Sequence, residues 1–216
     1  MAISGAEPQP DCQLCTRLAH YRADLREAEP DWFNAPVPTF GDANARLLIV
    51  GLAPGVRGAN RTGRPFTGDY AGDLLYVTLA AHDFSRGRYD ARVDDGIDLI
   101  DCAITNAVRC VPPQNKPTGP EITTCRAFLS ATLASFAQLT CIICLGRIAH
   151  NSVVAALGAK QKEAPFAHQA HHVIGHVTLI DSYHCSRYNT NTGRLTEEMF
   201  TAVFTDARRL LAAKPA

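Results

Sequence analysis

Side chains able to do chemistry gather in three stretches of this chain. The first, GLAPGVRGANRTGRPFTGD at 51–69, holds Asn60, Phe66 and Asp69. Asn106 opens the second, NAVRCVPPQNKP at 106–117, and His184 lies in the third, SYHCSRYNTNTGR at 182–194. A carboxamide offers one acceptor and two donors, a phenyl ring offers a flat apolar face, and an imidazole can move a proton near neutral pH. A different kind of site is suggested by Cys12-Gln13-Leu14-Cys15, just before a segment of helix-forming composition. Two cysteines at that spacing can converge, and helix N-terminal amides favour thiolates. Redox pair, metal pair and chance all remain open for it, although no strand precedes the motif as a redox fold requires.

The elements that must position these residues alternate along the chain. Leu47-Leu48-Ile49-Val50 is a branched apolar run of the sort buried on both faces of a parallel sheet. It stops at Gly51, and six Gly and Pro residues between Pro54 and Gly68 exclude a helix or strand interior there. Helical spacing resumes with Leu74, Leu75, Val77, Thr78 and Ala81. So long a loop after a buried strand is the place where open α/β folds put ligands. Gly87–Gly96 reads as a charged surface loop, and Leu99–Thr105 as the second strand. Thr118 and Glu121 form a capping box, followed by an inward face of Ile122, Cys125, Leu129, Leu133 and Phe136. Thr140–Leu145 is the third strand, with a helix to about Leu157, and Val177–Asp181 is the fourth. The last helix starts at Thr196, with Glu197 and Glu198 in its first turn and Arg208 and Arg209 in its last. Leu18–Glu29 is a further helix, ended by Pro30. The expected architecture is a three-layer α/β/α fold with a mostly parallel four-stranded central sheet, its three polar loops meeting at one edge.

Composition limits the rest. The 216 residues suit a single domain at 12–216 after a disordered N-terminus at 1–11. Lys plus Arg and Asp plus Glu both total 21, so any surface for an anionic polymer must be local. No membrane-length apolar run or signal-peptide core is present, so a cytoplasmic protein with reduced cysteines is expected. Cys141 and Cys144 fall at i and i+3 of a strand and point to opposite faces, as core thiols. His168, His171, His172 and His176 lack helical periodicity and read as loop histidines, not a metal site.

The strings GLAPGVRGANRTGRPFTGD at 51–69, TNAVRCVPPQNKPT at 105–118 and SYHCSRYNTNTGRLT at 182–196 resemble the type-B (fifth) family of uracil-DNA glycosylases. The likeness runs from Cys12 into the last helix. It implies excision of uracil from DNA in base excision repair, by a monomer with no membrane association. It also implies a 4Fe-4S cluster on Cys12, Cys15, Cys110 and Cys125. Under that resemblance Gly51, Ala53, Phe66 and Asn106 bind the flipped base, Phe66 by stacking and Asn106 by its amide edge. His184 is the expected donor to charge developing on the departing base. Related families place a polar residue where this chain has Leu52-Ala53, so Asn60, and after it Asp69, becomes the candidate for holding water, with backbone groups as the alternative. Arg57, Arg61, Arg64, Lys116, Arg187 and Arg194 would form a cationic rim for phosphates, and Tyr188 could wedge into the gap left by the flipped base. Because an amide pairs equally with N–H beside carbonyl on hypoxanthine, that base is an expected second substrate. Two other classes compete: a non-catalytic iron–sulfur nucleic-acid-binding module, and a Rossmann-like nucleotide binder. The latter lacks both G-x-G-x-x-G and a P-loop.

Overall fold

The computed structural model describes residues 7–213. Its elements in chain order are α1 (Thr16–Ala28), β1 (Phe40–Gly41), β2 (Leu47–Gly51), α2 (Ala59–Thr62), α3 (Tyr70–Ala81), β3 (Ser85–Arg86) and β4 (Asp98–Leu99). There follow β5 (Cys102–Asn106), a 3-10 turn (Pro113–Asn115), α4 (Gly119–Ser135), β6 (Cys141–Leu145), α5 (Arg147–Ala156), β7 (His171–Ile174), β8 (Val177–Ser182), α6 (Arg187–Asn191) and α7 (Glu197–Ala212).

One sheet organises the chain, in the order β1-β5-β2-β6-β8-β7. The central four strands are parallel, as their apolar sequences require: every residue of β2, β5 and β6 is buried. Two further strands, β1 and β7, close the edges in antiparallel pairing. Neither was expected. β1 is two residues long, and β7 (HHVI) buries only one face, with Val173 78 % exposed. The expected second strand is also divided. Asp101 adopts a left-handed φ of 53° and separates β4 from β5, its carboxylate accepting from Arg46 Nε at 2.9 Å.

Helices cover both faces. Leu75 and Leu79 of α3 with Phe200, Val203 and Phe204 of α7 pack on Leu47, Ile49, Ile104 and Ile143. On the other face Leu129 and Leu133 of α4 with Val153 and Val154 of α5 pack on Leu48, Val50, Ile142 and Leu179. Cys141 belongs to the first core and Cys144 to the second, as their strand spacing demands. The connection after β2 leaves toward α3, and those after β5 and β6 leave toward the opposite layer. A crevice therefore opens at the carboxyl edge beside β2.

Capping signals mark the helix starts. Thr118 and Glu121 form the reciprocal box at α4, and Thr196 accepts from Met199 N at α7. The helix expected from Leu74 begins a turn earlier, at Tyr70, because the Asp69 side chain caps it by accepting from Gly72 N at 3.2 Å. Within the stretch expected to be disordered, Glu7 accepts from Thr39 N at 2.9 Å and Asp11 pairs with Arg26 at 2.6 Å. Residues 1–6 lie outside the described residues.

Candidate active site

At the crevice the three loops meet around a cavity of about 370 Å³. Leu52, Ala53, Phe66, Asp69, Asn106, His184 and Arg187 line it, with Tyr70, Asn115 and Ser186 beside them. Asn106 ends β5 in parallel register with Gly51 of β2, so the sheet itself fixes its side chain at the cavity wall. It is 2 % exposed, and its Oδ1 is buried with no hydrogen-bond partner among the described residues. A buried acceptor left in that state costs about 1–3 kcal/mol, so it marks the place for a donor from outside the chain.

Gly51 explains how Asn106 and Phe66 come together. A Cβ at residue 51 would land on Asn106 Oδ1 and only 2.6 Å from Phe66 Cζ. The ring and the amide therefore converge over one backbone point that admits glycine alone. Phe66 is itself unusual: a bulky residue at φ 52°, in the left-handed region. That conformation costs on the order of 1–3 kcal/mol and persists only where surrounding contacts impose it.

His184 follows β8 and lies 6.0 Å from the Phe66 ring, centroid to centroid, at 29° between planes. Gly146 lies 3.4 Å from His184 Cβ when its own Cβ is imagined, and the His184 carbonyl accepts from Asn189 Nδ2 at 2.8 Å. Burial lowers the His184 pKa from 6.5 to about 4. At neutral pH it is an uncharged imidazole able to donate one N–H. Asp69 also faces the cavity, and burial raises its carboxyl pKa against the opposing hydrogen bond from Gly72 N.

Two expected site residues lie elsewhere. Asn60 is fully buried in α2, donating from Nδ2 to Asn34 Oδ1 at 2.8 Å, and does not line the cavity. It ties the first loop to the segment before β1. Arg64 is 3 % exposed and forms a two-pronged ion pair with Asp95 at 2.8 and 2.7 Å, with its guanidinium over Tyr76 and Tyr89. It cannot meet a phosphate without leaving that pair. Burial alone would raise the Asp95 carboxyl, but Arg64 and two backbone amides hold it at about 2. The remaining expected cations, Arg57, Arg61, Lys116, Arg187 and Arg194, are exposed. Arg187 lies over Tyr70 at 5.2 Å and Arg194 over Tyr183 at 4.6 Å. Tyr188, on α6, is 72 % exposed.

Cys12, Cys15, Cys110 and Cys125 line one small cleft beneath α1, despite their separation in sequence. Two donors point at their sulfurs: Arg22 Nη1 at 3.2 Å from Cys110 Sγ, and Arg109 N at 3.3 Å from Cys125 Sγ. Burial raises the Cys110 thiol to about 12 and Cys125 to about 11. Four thiols with N–H···S donors could hold a metal group, whose positive charge would draw them to thiolates. A second buried group could also hold an ion: ligand atoms of Cys144, His150 and Asp181 lie within 4.8 Å of one another. Both nitrogens of His150 already have partners there, Asp181 Oδ1 at 2.6 Å and Ala164 O at 2.8 Å. His172 joins that group, its Nε2 3.3 Å from Asp181 Oδ2 and its ring 5.5 Å from that of His150, whereas His171 meets Asp206 at 3.2 Å and His168 stacks on Tyr183 at 5.0 Å.

Sequence reasoning missed Tyr70, Asn115 and Ser186. Only Asn115 had a visible cue, the Gln-Asn pair after two prolines, which turns through left-handed φ values of 57° and 56°.

A doubly covered parallel sheet thus brings an amide, an aromatic ring and a neutral histidine into one crevice, groups able to stack on and pair with a planar ring. Comparison with known proteins makes this specific. Residues 38–208 match the model of the Uracil DNA glycosylase superfamily, and the chain belongs to that family. It is 43 % identical over 206 residues to a type-5 uracil-DNA glycosylase of Thermus thermophilus, covering 92 % of this chain and 93 % of the relative. A type-5 uracil-DNA glycosylase of Pyrobaculum aerophilum is 39 % identical over 197 residues, 89 % and 86 % of the two chains. A type-4 uracil-DNA glycosylase of Archaeoglobus fulgidus is 33 % identical over 129 residues, 59 % and 55 %.

Proposed function

We propose that this chain is a monofunctional uracil-DNA glycosylase of the type-B (fifth) family, acting in base excision repair. The observation that carries this reading is the partnerless Asn106 Oδ1, buried beside Phe66 at the cavity wall. A flipped uracil supplies what that atom lacks: N3–H donates to Oδ1 while O4 accepts from Nδ2. Phe66 provides the stacking face. As the N-glycosidic bond breaks, its electron pair passes to the base and the sugar becomes an oxocarbenium-like cation. Neutral His184 donates its N–H to the oxygen where that negative charge grows. Water then adds to the sugar carbon, and its released proton balances the base anion.

Neither Leu52 nor Ala53 can orient that water. With Asn60 tied to Asn34, Asp69 is the group on the cavity wall suited to hold it. Among the described residues no lysine lines the cavity, consistent with hydrolysis in place of Schiff-base chemistry. Hypoxanthine presents N1–H beside O6 in the same relation as uracil, and the small Leu52-Ala53 wall supports room for its second ring. Cytosine and adenine put an amino donor against the amide donor and are rejected, at a cost of about 1–3 kcal/mol.

Arg57, Arg61, Lys116, Arg187 and Arg194 form the phosphate-contacting rim, and exposed Tyr188 fills the duplex gap. The four thiols hold a 4Fe-4S cluster whose role is to pin α1 and the second loop to the body. Ligands scattered along the chain at 12, 15, 110 and 125 support a cluster over a structural zinc, which favours close pairs on both sides. The protein acts as a monomer, and a cytoplasmic location suits its reduced thiols; no helix among the described residues is long and apolar enough to cross a membrane. Oligonucleotides bearing uracil, hypoxanthine, xanthine or normal bases, scored for abasic sites, test the reading. Binding without turnover on every one of them would favour the non-catalytic module.

A further inference from the structure

Gly87–Gly96 looks like an idle surface loop in sequence, yet its Tyr89 braces the backbone of the segment that carries Phe66 to the cavity wall. Tyr89 Oη lies 3.2 Å from the Phe66 carbonyl, to which it donates, and accepts from Gly68 N at 3.3 Å. One hydroxyl thus bridges the two residues that flank the Phe66–Gly68 turn. Tyr76 of α3 donates to the Pro65 carbonyl at 2.9 Å. The two tyrosine rings stack on each other at 4.3 Å and 14°. Arg64 lies over both rings and is clamped by Asp95, whose oxygens also accept from Asp90 N at 3.0 Å and Ile97 N at 3.2 Å. The loop is therefore folded around Asp95 and bolted to the residue two positions before Phe66.

A third contact completes the enclosure. A Cβ on Gly72 would strike the Phe66 carbonyl oxygen and come 2.6 Å from Tyr89 Oη. The first turn of α3 can approach the Phe66 carbonyl only because residue 72 is glycine. Phe66 has a left-handed φ that a bulky side chain avoids, and its own carbonyl and that of Pro65 are held by hydroxyls on two mutually stacked rings.

From this arrangement we propose that Tyr89 and Tyr76 are positioning residues for substrate: together they impose the left-handed conformation that turns the Phe66 ring to the cavity. Without them Phe66 relaxes to an ordinary φ and the ring leaves its place over Gly51. Burial raises the Tyr89 phenol to about 12, so it stays a donor through the working pH range. The inference rests on the reading of Phe66 as the stacking face for the base, and its test has one arm that does not.

That arm is the crystal structure of Tyr89→Phe, a change that removes one hydroxyl and keeps the ring stack. The expected result is Phe66 at negative φ; an unchanged φ near 52° overturns the proposal. The second arm is a double-mutant cycle on the Kd for a non-cleavable oligonucleotide containing 2′-fluoro-deoxyuridine. Tyr89→Phe should weaken binding about tenfold while the single-turnover rate at saturation changes less than twofold. In a Phe66→Ala background the same change should have no further effect. An equal tenfold loss in both backgrounds overturns the proposal, since the hydroxyl would then act independently of Phe66. If Phe66→Ala alone leaves Kd unchanged, the stacking reading fails, and the conformation of Phe66 alone decides the role of the bracket.

Discussion

His184 gives the most distinctive quantitative prediction, because its environment sets a pH dependence opposite to habit for histidine. Burial moves its pKa from 6.5 to about 4, which penalises the charged ring by about 3 kcal/mol. At pH 5 only about a tenth of the side chain is protonated, where an ordinary histidine would be almost fully charged. A donor that works as neutral imidazole should therefore give a flat single-turnover rate of uracil excision from pH 8 down to about pH 5. The acid fall follows below that. Stability moves in the same direction. Between about pH 4 and 6.5 the unfolded chain binds the proton and the folded chain does not, so the contribution of this group to stability falls as pH drops through that window. The assay is a quenched-flow measurement at saturating enzyme on a uracil oligonucleotide, with the His184→Ala profile as reference. An inflection near pH 6.5 present in wild type and absent in the variant would refute the half-buried, neutral donor.

Three other outcomes follow from the geometry. Asn106→Asp should relax discrimination, since a carboxylate accepts from the cytosine amino group; cytosine excision rising from undetectable is the readout, and unaltered specificity would count against amide pairing. Gly51→Ala should weaken capture of a non-cleavable uracil oligonucleotide at least tenfold, because the new Cβ occupies the point where Asn106 Oδ1 and Phe66 meet. Wild-type affinity there would show that the two side chains do not act together. Cys125→Ala should lose the visible absorbance of an iron–sulfur cluster and lower Tm by several degrees or more, while a colourless, zinc-containing wild type prepared anaerobically would contradict the cluster.

The sheet was legible where its signals are strongest. Four branched apolar runs can only be strands buried on both faces, and Thr118, Thr196 and the loop after Gly51 announced the elements between them. Edge strands escaped because β1 is two residues long and His171-His172-Val173-Ile174 is half solvent-facing, so neither carries a core pattern. In the site, Phe66, Asn106 and His184 were readable because each lies at a strand's carboxyl end or in the polar loop that follows one. Arg64 misled because an arginine in a polar loop gives no sequence cue that its partner, Asp95, waits 31 residues away. Asn60 failed for a similar reason: its partner Asn34 precedes the first strand. Tyr89 was invisible, since a hydroxyl aimed at a backbone carbonyl is a purely tertiary feature.

Catalysis here turns on whether His184 stabilises charge that exists only as the glycosidic bond breaks. Single-turnover excision by His184→Ala should fall about 10²–10³-fold on a uracil oligonucleotide, while Kd for a non-cleavable analogue changes only a few-fold. Equal losses in rate and affinity, with the fold intact, would contradict it and reduce His184 to a wall of the pocket.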